Sequence, residues 1–237
     1  MDLEDITAAI LAGGLGTRLR SKIKGKQKVL VKVKNYPFLK YLLDKLNKTG
    51  VKKVVICTGY LGEQVKKEFG KKYGNLSISY SQENSKLDTA GAIKLALPLL
   101  KSEDILVTNG DSYFNCDLEK FWQFHLKKKS KASILLTRIS NIDRYGQVVL
   151  DKNSRITSFQ EKSGKIGTGL INSGIYLFKK SLLLKIPKDK AVSFEKELFP
   201  SLVGKDFYGF EGHGKFIDIG TPQSYKEAEE FFSENIL

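Results

Sequence analysis

An apolar run, ITAAIL, reaches Leu11 and Ala12 and then gives way to Gly13, Gly14 and Gly16, followed by Thr17 and Arg18. The chemistry this order suits is phosphate binding. Glycines after a strand let backbone N–H groups approach an anion with no Cβ in the way. Arg18 is placed to fork onto phosphate oxygens. Two common phosphate loops are excluded by spacing. A Walker A loop needs GxxxxGK[ST], and no lysine follows at that distance. A dinucleotide fingerprint needs GxGxxG, which from Gly14 would put glycine where Leu19 stands. Two carboxylates from distant parts of the chain, Asp111 in DILVTNGD and Asp218 in KFIDIG, each end a strand-like segment.

Strand and helix patterns alternate over the first 140 residues. ITAAIL, KVVICTG, LSISYS, DILVTNGD and ASILLTR read as strands. PFLKYLLDKLNKTG, LGEQVKKEFG, DTAGAIKLALPLL and DLEKFWQFHLKKK read as helices, with Asp88 expected as an N-cap. This alternation predicts an α/β fold, a mainly parallel sheet covered by helices on both faces. After residue 140 the strand-like segments YGQVVLD, RITSFQE and LINSGIYLF are separated by turn residues, which predicts an antiparallel region laid onto the first half. SFEKELFPSLV and PQSYKEAEEFF read as helical, with KFIDIG as a short strand between them. Ligands of open α/β sheets bind at the carboxyl ends of the strands, so the glycine loop and Asp111 should line one cleft.

The chain has 237 residues and a formal charge of +14, carried by lysines spread over most of its length with only five arginines. Dispersed lysine without interleaved aromatics favours a solvated surface that attracts small anions over nucleic-acid binding. No apolar run approaches a membrane span, and the start MDLED is acidic rather than a basic leader. Cys57 and Cys116 form no CxxC pair, which fits a reducing, cytoplasmic setting. Neither His125 nor His213 has metal-ligand spacing, and a solvated or packing role is expected of both.

LAGGLGTRLR resembles the signature of the sugar-1-phosphate nucleotidyltransferases, the nucleoside-diphosphate-sugar pyrophosphorylases. That signature usually continues into P-K-P. Here GKQKVLVKV stands instead, and an ungapped count puts Lys28 on the family's lysine with Gln27 and Val29 in place of the prolines; Lys24 and Lys26 are close by. LDTAGAI, TNGDSYF, FQEK, INSGIYLF and FIDIGTPQSY resemble five further family segments in the family's order. The resemblance implies a Rossmann-like nucleotide-diphospho-sugar transferase fold. It also implies one domain over residues 1–237, with a nucleotide-binding half (1–140) and a sugar-binding half (141–237).

The implied reaction joins a nucleoside triphosphate and a sugar 1-phosphate into a nucleoside-diphosphate sugar and pyrophosphate. The nucleophile is already an anion, so the site must neutralise charge and align the reactants rather than remove a proton. By the resemblance, Arg18 and Lys28 balance the leaving phosphates, and Asp111 and Asp218 hold Mg²⁺. Leu11, Ala12, Gly13, Gly14, Gly16, Thr17, Glu83, Thr89 and Ala90 bind the nucleotide. Gly146, Glu161, Lys162 and Asn172 bind the sugar phosphate. A carboxylate accepts both adjacent donors of guanine, and alignment back from LDTAGA puts Glu83 at the base-reading position, which favours GTP. Finer features, GDSYFNCDLEKF and SFEKELFP among them, resemble the guanylyltransferases that act on D-glycero-α-D-manno-heptose 1-phosphate. Relatives acting on mannose, glucose or N-acetylmuramic acid 1-phosphate, and cytidylyltransferases acting on phosphocholine, share the scaffold. A monomer or homodimer is expected.

Overall fold

The computed structural model of the chain describes residues 3–14, 16–19, 25–143, 145–160 and 167–233. Four parallel strands form its nucleus: β1 (Thr7–Ala12), β2 (Lys53–Thr58), β3 (Leu76–Gln82) and β4 (Asp104–Asn109), in the spatial order β4-β1-β2-β3. Their side chains alternate between two cores. Ala8, Ile10, Val54, Ile56 and Leu106 face one; Ala9, Val55, Cys57, Ile105 and Val107 face the other. Burial on both faces is why β1, β2 and β4 read as continuous apolar runs, while β3 alternates buried and exposed residues.

The first core is closed by helices α1 (Phe38–Lys48) and α4 (Leu118–Lys128), which supply Phe38, Leu42, Phe121 and Trp122. The second is covered by α3 (Asp88–Ala96), through Ala90, Ile93 and Ala96. Helix α2 (Gly62–Phe69) follows β2. Asp117 caps α4 by accepting the Lys120 N–H at 3.0 Å. Asp88 does not cap α3. It is the first helical residue, at φ +56°, and its carboxylate pairs with Lys86 at 2.9 Å. The helix start is tied down instead by the Ala90 and Gly91 N–H groups, which donate to the Val192 carbonyl.

The second half of the chain extends the same sheet. A short β5 (Ser112–Phe114) and β6 (Ala132–Ile139) precede β7 (Gln147–Leu150), β8 (Ile156–Gln160) and the long β9 (Gly169–Lys179); β10 (Phe207–Glu211), β11 (Phe216–Asp218) and helix α5 (Pro222–Phe231) follow. Strand β9 runs antiparallel to β4, β6 and β7. It therefore joins the antiparallel region to the parallel nucleus through shared backbone hydrogen bonds. Its register with β6 slips between Asn172 and Ile175. Such a bulge bends a strand and re-aims its side chains. Strand β11 pairs with β5, which brings Asp218 opposite Ser112 and so beside Asp111.

His125 is buried, not solvated. Its ring nitrogens lie 2.8 Å from the Ser133 hydroxyl and 3.1 Å from Asp104, which also accepts from Lys179 at 2.7 Å. His125, Ser133 and Asp104 are buried, with Lys179 reaching in from the surface, so the role of the histidine is to satisfy a polar core. His213 is exposed. Among the described residues no helix is long and apolar enough to cross a membrane.

Candidate active site

The carboxyl ends of β1, β2, β3 and β4 lie level, because their registers pair Leu11 with Asn109, Ala12 with Thr58, and Thr58 with Gln82. Beyond them opens a cavity of about 570 Å³ lined by Leu11, Ala12, Gly13, Gly14, Glu83 and Thr89 together with Lys28 and Asp111. Glu83 is wedged between two glycines. A Cβ on either Gly13 or Gly59 would stand 2.8 Å from its Oε1. Its other oxygen accepts the Leu87 N–H at 3.0 Å. Burial, with repulsion from Asp88 added, outweighs that bond and raises the Glu83 pKa above the ordinary glutamate value.

Lys28, not Lys26, is the lysine of this site. Its Nζ lies 2.5 Å from Asp111 Oδ2, and it is buried while Lys26 is exposed. Lys24 is outside the described residues. Burial pushes the Asp111 pKa up, but the Lys28 charge and hydrogen bond, the Ser112 hydroxyl and the Arg18 charge together bring it below the ordinary aspartate value. The departure from P-K-P has a local explanation. Gln27 accepts the Val29 N–H on its side-chain oxygen at 2.6 Å, donates its amide to the Ala12 carbonyl, and donates its backbone N–H to Gln64 Oε1 at 2.9 Å. A capping side chain thus fixes the turn that a proline ring would fix by its own rigidity.

A second cavity, of about 650 Å³, is lined by Arg18, Gly146, Asn172, Glu195 and Asp218, with Tyr145, Phe159 and Phe216 as aromatic walls. It shares Asn109 and Asp111 with the first. Asp218 is held from three sides: the Tyr145 hydroxyl donates at 2.5 Å, the Gly220 N–H at 2.6 Å and the Ser224 hydroxyl at 3.1 Å. Asn172 donates to the Tyr176 hydroxyl at 2.9 Å and accepts the Gly174 N–H at 2.8 Å. Gly174 sits at φ +78° in the bulge, and a Cβ there would stand 2.7 Å from the Asn109 amide nitrogen. Asn109 Oδ1 is buried at the junction of the two cavities without a partner among the described residues.

The structure thus brings together most of the residues expected from the sequence, divided between two adjoining cavities. Arg18 lines the second cavity rather than the glycine cavity. Gly16 precedes and Thr17 opens the short helical turn Thr17–Leu19, and neither lines a cavity. Ala90 is fully buried in the core under α3, so it supports the wall without forming it. Glu161 and Lys162 lie outside the described residues. Sequence reasoning missed Gln27, Asn109, Tyr145 and Glu195. Only Asn109 carried a signal, its place two residues before Asp111 at a strand end.

Asp111 and Asp218 fit a Mg²⁺ ion better than an all-protein metal cage. Among the described residues no group of three or more His, Cys, Asp or Glu side chains is gathered. Two carboxylates opening on one cavity are what Mg²⁺ takes when waters and phosphate oxygens complete its shell.

A model described as nucleotidyl transferase matches residues 7–235. The chain is 38% identical over 223 residues to the D-glycero-α-D-manno-heptose 1-phosphate guanylyltransferase of Aneurinibacillus thermoaerophilus, covering 94% of this chain and 96% of that one. It is also 38% identical over 219 residues to the enzyme of the same name from Campylobacter jejuni, covering 92% and 96%. Among solved structures, HddC from Yersinia pseudotuberculosis complexed with GMP-PN superposes with a TM-score of 0.86 at 35% identity, covering 96% of this chain and 99% of that chain.

Proposed function

We propose that this chain, which belongs to the nucleotidyl transferase family, transfers the guanylyl group of GTP to D-glycero-α-D-manno-heptose 1-phosphate. The relatives that carry this name match it over nearly their whole length. The single observation that carries the reading is the meeting of two cavities at Asn109 and Asp111. One has a glycine floor and a base-reading carboxylate. The other has aromatic walls and hydrogen-bonding side chains suited to a sugar. An acceptor phosphate in the second cavity faces the α-phosphate of a nucleotide in the first.

In the reaction, an oxygen of the sugar phosphate forms a bond to the α-phosphorus. The bond from that phosphorus to the bridging oxygen of the β-phosphate breaks, and its electrons leave with pyrophosphate. Glu83 accepts the adjacent donors of guanine. Gly13 and Gly14 admit the nucleotide close to the backbone, and Thr89 forms part of the same wall. Lys28 carries positive charge to the phosphates, and Arg18 brings a second cation from the acceptor side. Asp111 and Asp218 would hold Mg²⁺, which when bound supplies neutralisation and alignment of phosphate oxygens. Gly146, Asn172 and the FQEK segment's Glu161 and Lys162 are assigned to the sugar phosphate. The whole chain, residues 1–237, acts as one domain in this reading, as a monomer or homodimer in the cytoplasm.

The test is pyrophosphate release from each of the four nucleoside triphosphates against a panel of sugar 1-phosphates that includes heptose, mannose and glucose. GTP with the heptose should give the highest kcat/KM. Turnover with another pair only, or with none, overturns the assignment.

A further inference from the structure

The segment Ser193–Leu198 is not an ordinary helical turn. Phe194–Leu198 winds as a π-helix, a conformation concentrated at functional sites because its extra residue re-aims one side chain. Two buried aromatics anchor it. Phe194 stacks on Phe178 at 5.0 Å and lies 5.6 Å from Phe199, inside a cluster that includes Tyr176 and Phe207. With Phe194 fixed inward, the next residue, Glu195, is delivered to the wall of the second cavity.

Glu195 is a half-buried carboxylate whose protein partners are all neutral hydroxyls. Ser193 donates to its Oε2 at 3.0 Å, Thr89 to the same oxygen at 3.2 Å, and Tyr176 to its Oε1 at 3.3 Å. Among the described residues it has no ion-pair partner, in a chain of net charge +14. The Tyr176 hydroxyl that donates to it receives the amide of Asn172. Asn172 in turn lines the same cavity. The hydroxyls hold the carboxylate in one orientation. They leave acceptor capacity unused, since two oxygens offer about four lone-pair sites.

We infer that Glu195 is a sugar-specificity residue: it accepts hydrogen bonds from one hydroxyl, or a vicinal pair, of the sugar whose 1-phosphate is the acceptor. The inference rests on the guanylyl-transfer reading and deepens it. Three features support it over a purely structural strut. A strut between α3 and β9 needs only the three hydroxyl contacts, yet the carboxylate has acceptor capacity beyond them. The carboxylate opens on a cavity lined by Tyr145, Phe159 and Phe216, whose rings suit the C–H faces of a sugar. And a site that hydrogen-bonds a hydroxyl rejects analogues lacking it, because the buried acceptor is then left unpaired.

The test compares wild type with Glu195→Gln and Glu195→Asp on the best sugar 1-phosphate and on a series of its monodeoxy analogues. The wild-type enzyme should disfavour at least one deoxy analogue by about 10- to 100-fold in kcat/KM, the range for a hydrogen bond to a charged group. In Glu195→Gln the kcat/KM for the parent sugar should fall by a similar factor. The penalty for that one analogue should collapse, and the KM for GTP should stay within about 2-fold. Glu195→Asp keeps the charge but withdraws it by one methylene, and should lose the same discrimination. If every deoxy penalty survives in a folded variant, or GTP and sugar KM rise together, Glu195 is a strut and the inference fails. Absence of wild-type turnover for every pair would instead overturn the guanylyl-transfer reading.

Discussion

Burial and the neighbouring Asp88 charge raise the pKa of Glu83, while the Leu87 N–H and Lys86 lower it by less. A carboxyl whose folded pKa exceeds its unfolded value contributes stability below the unfolded pKa and loses it as pH rises through the folded one. At neutral pH the ionised Glu83 therefore destabilises the fold. In the proposed reading, guanine binding uses that same ionised form. Glu83→Gln should raise the melting temperature at pH 7 while raising the KM for GTP by about 10-fold or more. The wild-type kcat/KM for GTP should fall on acidification with a midpoint above the ordinary glutamate range, and this limb should vanish in Glu83→Gln. A melting temperature unchanged or lowered, with an unchanged acid limb, would remove Glu83 from the base site. Asp111 has the opposite sign. Its pKa is depressed by Lys28 against its own burial, so the pair stabilises at neutral pH and is lost as pH falls through the depressed value. Asp111→Asn should cut turnover by about 10²- to 10³-fold with the fold retained, read by pyrophosphate release and circular dichroism.

Between the two cavities, single elements decide geometry that no single residue could. The bulge in β9 aims Asn172 into the second cavity and leaves Gly174 at positive φ against Asn109. Gly174→Ala would put a Cβ into the Asn109 amide and strain the backbone. It should cost about 1–3 kcal/mol by thermal or urea unfolding and raise the sugar KM more than the GTP KM. Equal effects on both substrates would show that the bulge does not serve the sugar cavity. The parallel strands were legible in the sequence because burial on both faces leaves apolar runs that end in glycine and aspartate. The ends of those runs gave the glycine loop and Asp111 directly, while Glu83 came only through the resemblance of LDTAGA. The bulge was not legible, since the slip in register depends on what β6 and β9 each pack against and leaves no local pattern. Glu195 was hidden for a related reason: SFEKELFP reads as an amphipathic helix, and only the winding of its turn exposes the carboxylate. Gln27 was read only as a departure from the family's proline, because a buried glutamine that caps a turn has the composition of any polar loop. Asp88 misled in the other direction, having the residue type of an N-cap at a helix start that backbone contacts from Val192 already secure.

At the scale of the whole molecule, the +14 charge and the two anionic substrates belong to one argument. Lysines spread over the surface cannot all touch a ligand, yet together they set the potential that an approaching phosphate meets. Within the clefts the local balance differs. Glu83, Asp88, Asp111, Glu195 and Asp218 line the cavities beside Arg18, Lys28, Lys86 and Lys196, so the local charges nearly cancel and close-range attraction is modest where long-range attraction is strong. Such an arrangement speeds encounter more than it deepens binding. Salt should therefore lower kcat/KM while leaving kcat nearly unchanged, because the Debye length shrinks from about 30 Å at 0.01 M to about 8 Å at 0.15 M. Bound to Mg²⁺, GTP carries about the same charge as a sugar 1-phosphate, so the two kcat/KM values should fall with similar slopes. The measurement is steady-state kinetics over that salt range, varying each substrate with the other saturating. Flat kcat/KM for both substrates would show that the surface lysines act only on solubility. A much steeper slope for one substrate would mean that its own cleft, and not the surface as a whole, sets the field it meets.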